Sequence, residues 1–426
     1  MRKFIVRMVV ALVVLCGVGF YVYKTNDVNE TYENKEIKND SNMLSMMLET
    51  EAGSGKYQET MTSSWPTEGY VLNESLSKCE NGSSLSWDST KNTVVMMGNN
   101  SDKCYVYFDV YVPPRYDEIC DESLLACHVA KQYIGTQGDN NMYYHDSSLT
   151  NGAKDNSYRY AGPSDTTNNF VCFGYDSQGG SCPNDNLYRI IGVFGDEVKL
   201  IKYDYAKSTL LGTDGDYYNT YKSWEGSSSY GTNKGQNSKT EIGVYYWNYS
   251  NGSSSTNDWS LSRLNTVNLN TNYLKNIGDE WSEKISDHTW KVGGNTYSNI
   301  TKQTAPNAYQ NEINSPATNK TVNAKVGLMY VSDYGYAASS NYWSTALSSY
   351  NNANVKANNW MYMGLYEWTL APRTDYSNRA FRLYDTGIVH GNSVSYNSAA
   401  RPVLYLKSTI GYGGGSGTAA KPILVK

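Results

Sequence analysis

Charge is scarce in this chain: Asp, Glu, Lys and Arg supply 18 % of its 426 residues, and histidine occurs only four times. A disordered polymer is thereby disfavoured, because disorder rests on high charge and few rings, whereas Tyr, Trp, Val and Ile clusters leave this chain plenty to bury. A basic balance is missing too. The formal net charge is −5, and removing the four positive charges of residues 1–24 takes it to −9 for residues 25–426. Nucleic acid and anionic lipid surfaces are therefore poor partners. No Cys-x-x-Cys occurs and the histidines are scattered, which argues against zinc held by cysteine.

What is present points outward. Arg2, Lys3 and Arg7 precede Met8 to Tyr23, a stretch without charge that Lys24 closes. As a helix it would cover roughly 24 Å, just enough to span if Arg7 and Lys24 snorkel. The basic residues ahead of it favour a cytoplasmic N-terminus and an exported remainder. A cleaved signal peptide and a lipid-bearing Cys16 are the rival readings. Only Gly17 and Gly19 resemble a cleavage site, and Leu15 is not the small residue that lipidation wants, so an uncleaved single-pass anchor at the cell membrane is expected.

Six cysteines lie beyond the anchor, Cys79, Cys104, Cys120, Cys127, Cys172 and Cys182, and an even number in an exported chain argues for disulfides. Sequential pairing is the simplest arrangement. Cys120 and Cys127 raise an objection, since seven residues of continuous helix would hold their Cα atoms about 10 Å apart, beyond disulfide reach. Either the helix starts after Cys120 or these two pair elsewhere.

Along the chain, residues 25–45 are polar and aperiodic, as in a stalk. Residues 46–115 carry short alternating runs such as "NTVVMMG" and "CYVYFDVYV" between turn signals, the pattern of a small β-sandwich. A linker helix is expected over 116–134, with Asp121 as N-cap. From 135 to 426 the pattern mixes elements. "LYRIIGVFGDEVKLIKYDY" reads as a hairpin, residues 258–285 as short capped helices, "AKVGLMYVSDYGYAA" as a buried strand running into a helix capped by Ser332 or Asp333, and the tail as four strands. Two helices in a strand frame make this an α+β domain.

The ordered set "NLYRIIGVFGDEVKLIKYDYA", "WSLSRLNTVNLNTNYLKNIGDEW", "VGLMYVSDYGYAAS", "NWMYMGLYEWTLAPRTDYSNRAFRLYDTGIVHGN" and "AARPVLYL" resembles a family of uncharacterised bacterial cell-surface domains, similar in turn to C-type-lectin-like and formylglycine-generating-enzyme-like folds. "SRLNTVNLN" and "EWTLAPR" depart from the usual R-x-W-L-N and W-x-L-R-S-P. The resemblance implies a lectin-like α+β domain over about 135–426 that displays a loop-covered face, and it implies no particular activity.

Catalytic chemistry finds little to stand on. His128, His145, His288 and His390 lack an evident carboxylate partner, and Asp146 beside His145 would point to the opposite face of a strand. Cys172 and Cys182, in "VCFGYDSQGGSC", read as a disulfide closing a Gly-rich loop in preference to a reactive metal-binding pair. Asp214 and Asp216 in "GTDGDYYN" are a fragment of a cation loop without its closing Glu, and the Glu-Pro-Asn and Gln-Pro-Asp signatures of sugar-binding C-type lectins are missing. No metal, cofactor or catalytic residue is expected.

Binding chemistry is better represented. Tyrosine, tryptophan and arginine crowd into residues 360–401, a composition shared with binding loops. Trp368, Arg373, Tyr376, Arg379, Tyr384, His390 and Tyr396 are the candidate ligand-binding residues, for a glycan or protein outside the cell. The expected function is extracellular recognition or adhesion without catalysis. A polysaccharide-processing enzyme and a structural envelope protein are the alternatives.

Overall fold

The computed structural model describes residues 34–36, 43–60, 64–66, 68–176, 181–222, 230, 237, 239–249 and 256–426. The chain divides into two compact units, Met1–Pro114 and Arg115–Lys426. Strand accounts for 31 % and helix for 21 %, in several sheets. The α+β, lectin-like architecture behind a transmembrane helix is therefore corrected to a β-rich one. The segment expected to anchor the chain, residues 1–24, lies outside the described residues, and no described helix is long and apolar enough to cross a membrane.

In the first unit, a sheet built around Met43–Glu49 and Cys104–Val110 and a second built on Ser84–Asp88 and Thr93–Met97 contribute to one core. Met46, Leu72, Val106 and Phe108 from the former meet Leu85, Val94 and Met96 from the latter. Polar backbone from the expected stalk takes part as well: Asn34–Glu36 pairs with Thr93–Met97, because a strand needs main-chain partners more than apolar side chains at an edge. Cys79 and Cys104 face each other on adjacent strands, and their disulfide closes a span of 25 residues. Replacing both by serine is expected to cost roughly 3 kcal/mol on a loop-entropy argument. Chemical denaturation followed by amide exchange of the strands Thr93–Met97 and Cys104–Val110 reports this unit; an unchanged midpoint would show the bond to be dispensable.

The second unit is organised by an eight-stranded sheet and a six-stranded sheet. The expected hairpin is present as Leu187–Phe194 and Glu197–Lys202, and Glu197–Lys202 pairs onward with Val403–Leu406. Gly192 sits where the register shifts, and a Cβ there would lie 2.0 Å from the Tyr158 carbonyl, so only glycine lets the neighbouring strand approach. The helix Leu125–Ala130 belongs to this unit's core, which takes up Leu125, Ala126 and Val129. Its N-cap is Leu124, whereas Asp121 closes a turn on Ser123. The short helix Tyr116–Ile119 ends before Cys120 and the next begins after it; that break brings Cys120 and Cys127 to 5.5 Å between Cα atoms, and they are bonded. Cys172 and Cys182 are bonded as well.

Residues 258–285 form short helical pieces, Trp259–Leu261, Leu264–Tyr273, Leu274–Ile277 and Asp279–Ser282, with a break at Gly278. Leu264, Leu269, Tyr273 and Ile285 reach the core, while Leu261 stays exposed. The helix Val331–Tyr336 is capped at Tyr330, two residues before Ser332 and three before Asp333, because Asp333 reaches back to the Tyr330 amide and Glu312 accepts the amides of Val331 and Ser332.

Burial pushes the Glu312 carboxyl up to about 7 against the hydrogen bonds it accepts. A carboxyl that holds its proton more tightly folded than unfolded stabilises fully below the ordinary carboxylate range, and that contribution is lost as pH rises through about 7. Unfolding free energy is expected to fall by roughly 2–3 kcal/mol between about pH 5 and pH 8 on this account. Urea titrations across that range test it: Glu312→Gln should flatten the slope, and an unaltered slope would assign it elsewhere.

Candidate functional site

The last hairpin of the six-stranded sheet, Arg379–Leu383 with Val389–Ser393, carries most of the candidate residues. Register places Arg382 opposite both Trp368 of the strand Glu367–Pro372 and His390, so these three share a face. From that face a strip of rings and cations in mutual contact runs out to the end of the hairpin. The Arg379 and Arg373 guanidinium carbons lie 4.4 and 4.8 Å from the Tyr376 ring centre. Arg373 also lies 4.7 Å from Tyr297, whose ring is 5.2 Å from His390. His390 meets Tyr384 at 4.8 Å, and Arg382 stands 4.9 Å from Tyr384 and 4.5 Å from Tyr366. Tyr396 flanks Arg382 at 5.9 Å. Tyr376 and Tyr396 are exposed, at 49 % and 55 %.

Local chemistry holds this strip in shape. Asn257 donates from Nδ2 to the carbonyls of Tyr376 and Arg379, both at 2.8 Å, which pins the loop between the strands. Arg373 donates to both oxygens of Asp375, at 3.0 and 2.6 Å. Gly391 permits that side chain to cross the hairpin, since a Cβ there would sit 2.1 Å from Arg373 Cδ. The Arg373 bond in turn holds the Asp375 carboxyl below its usual range.

Arg382 is different. It is 5 % exposed, donates from Nη1 to Ser398 Oγ at 3.1 Å and more distantly to the Asn397 carbonyl, and its Nε has no hydrogen-bond partner. It forms no ion pair among the described residues, so its charge is met by ring faces and neutral acceptors. Burial, together with Arg373, Arg382 and Arg379, keeps the His390 ring below its ordinary pKa, so it is neutral at physiological pH.

Two expectations need correction. Trp368 is fully buried beside Arg382, and its Nε1 donates to the Tyr245 carbonyl at 2.8 Å, so it does not reach solvent. Arg373 is 5 % exposed and spends its guanidinium on Asp375. Tyr376, Arg379, Tyr384, His390 and Tyr396 do come together, and Arg382, Tyr366 and Tyr297 join them. Arg382 and Tyr366 sit in the same ring-rich stretch, but only the register shows that they share its face. Tyr297 comes from a helix distant in the chain and left no signal.

The remaining candidates are occupied structurally. Asp216 accepts the amides of Tyr249, Arg263 and Leu264, and Asp214 accepts from Asn272, so the fragment of a cation loop is a loop clamp. No cluster of three or more His, Cys, Asp and Glu side chains able to hold a metal occurs among the described residues. His128 stacks on Tyr412 at 3.7 Å and His288 on Tyr405 at 3.8 Å. His145 is sealed between Tyr336 and Trp343, with Nδ1 accepting the Ala153 amide and burial driving its pKa well down.

A hollow of about 680 Å³ lies elsewhere on the same unit, between the loop 164–170, Tyr203, the helix Ala353–Ala357, Tyr362 and the turn at Thr418. Its lining comes from five separate stretches of chain. Comparison of the chain with protein-family models, with curated proteins and with solved structures returned no match.

Proposed function

We propose that this chain is an exported, non-catalytic recognition protein whose arginine–tyrosine strip on the last hairpin docks a glycan or a protein surface outside the cytoplasm. The observation that carries the reading is the strip itself: rings exposed at both ends, pinned by Asn257, with a nearly buried Arg382 that has no carboxylate among the described residues. Pre-shaped aromatic and arginine side chains lose little entropy on binding and dominate recognition surfaces. The cationic character favours ligands that present carboxylates or other acidic groups. Three disulfides support a compartment that keeps cysteines oxidised.

Screening the purified chain on glycan and protein arrays tests this directly, and binding no higher than background would sink it. For any ligand found, Tyr376→Ala and Tyr396→Ala are each expected to weaken binding roughly tenfold while leaving stability within about 0.5 kcal/mol, as for exposed rings. Arg382→Gln should remove the preference for acidic ligands over neutral ones.

A further inference from the structure

Three buried arginines in the second unit show how this fold treats an internal cation. Arg401 is paired with Glu367, and Arg159 with Asp155. Arg189, 1 % exposed, has no carboxylate among the described residues. Its guanidinium donates to neutral acceptors: the Asn169 side chain, Ser164 Oγ at 2.9 Å and the Thr167 carbonyl at 2.9 Å, with a longer contact to the Ser164 carbonyl. It packs 4.1 Å from the Phe170 ring centre and 4.9 Å from Trp360. Each guanidinium nitrogen has a hydrogen-bond partner, but none of those partners carries a negative charge. In a low-dielectric interior that charge projects into whatever lies next to it.

What lies next to it is the hollow. Ser164, Thr167 and Phe170 touch Arg189 and also line the cavity, so a positive charge stands one side chain behind the wall. Phe170 and Tyr203 meet edge to face at 5.1 Å, and Tyr362 adds a third ring. Lys356 also lines it, with its ammonium 5.6 Å from the Tyr362 ring, and Asp165 is the one acidic side chain in the lining among the described residues. Lys356 balances Asp165 within the lining, and Arg189 behind the wall adds a further positive charge. The volume is that of a small-molecule site.

Ring faces that pack against C–H groups, hydroxyl and amide groups between them, and an excess of positive charge together select a class of ligand. We propose that this hollow is a second binding site, separate from the strip, for a sugar unit that carries a carboxylate. The sugar ring lies against Phe170, Tyr203 and Tyr362, and the carboxylate is turned toward Lys356 and the field of Arg189.

The experiment titrates the full chain with glucuronate, glucose and benzoate, by calorimetry and saturation-transfer NMR. Glucuronate is expected to bind with a Kd of about 1 mM or tighter and glucose roughly tenfold more weakly, with benzoate no better than glucose. Lys356→Glu should weaken glucuronate roughly tenfold and leave glucose unchanged. Ala357→Trp, which fills the cavity from its helical wall, should abolish both; Ala419→Trp does the same from the opposite side if the first variant folds poorly. Tyr376→Ala should leave this binding intact, so a failure of the strip is told apart from a failure of the hollow. Absence of glucuronate binding, equal affinity for glucose, tighter binding of benzoate, or indifference to both cavity-filling variants would each overturn the proposal.

Discussion

Replacing Glu367 by alanine is expected to destabilise the second unit by roughly 3–5 kcal/mol, because it strands a buried cation. Glu367 and Arg401 are each 1 % exposed. Arg401 donates from Nε at 2.7 Å and from Nη2 at 2.9 Å to the two carboxylate oxygens, and Nη2 also reaches the Met361 carbonyl at 2.8 Å. Burial pushes the Glu367 carboxyl upward, and these charge-assisted bonds oppose that shift and hold the pair ionised. Removing one member leaves the other with its full desolvation cost. Removing both, as Glu367→Leu with Arg401→Met, is expected to cost far less, within about 1–2 kcal/mol of the parent. Urea unfolding of the two single variants and the double variant measures the coupling. Additive losses would show that the two side chains act independently and that the pair is not the fastening inferred here.

Trp368→Ala is expected to cost roughly 3–5 kcal/mol through lost packing and an orphaned carbonyl on Tyr245. The ring is fully buried beneath the hairpin, and Trp247, packed on Trp259 at 4.9 Å, answers it by donating to the Thr369 carbonyl at 2.9 Å. A ligand-contacting tryptophan would behave in the opposite way, losing affinity with little change in stability. Comparing Trp368→Ala with Tyr396→Ala in the same thermal and binding assays separates the two roles. A stable Trp368→Ala with selectively lost binding would return Trp368 to the site.

The same contrast shows how far alternation in a strand carries. Residues 367–372 alternate in chemistry, "EWTLAP", yet every one of them is buried. Alternation says that Glu367 and Trp368 point to opposite faces. Which face is covered depends on what packs there, and the cover comes from Tyr245, Trp247 and Trp259, more than a hundred residues upstream in the chain. Pairing within a hairpin, by contrast, is a local matter. "RIIGVFGDEVKLIK" needed only its own period and its Gly195 turn to be read as two strands. The helices of 258–285 were legible as short segments, although Asp258 alone supplies a side-chain cap among them, but the small helical share of the whole was not, since propensity does not reveal how many loops a sheet will straighten into strands.

By itself the sequence determined that cysteines would pair, that the 187–202 hairpin would form, and that rings and cations would gather near the C-terminus, because those outcomes depend on composition and on contacts within a few residues. The tertiary structure alone decided which arginines were neutralised. Arg401 found Glu367 on another strand, whereas among the described residues Arg382 and Arg189 found only rings and neutral acceptors. The reason is physical: a charge's cost and its use are set by the groups that surround it in three dimensions, and those groups arrive from distant segments that no local pattern connects.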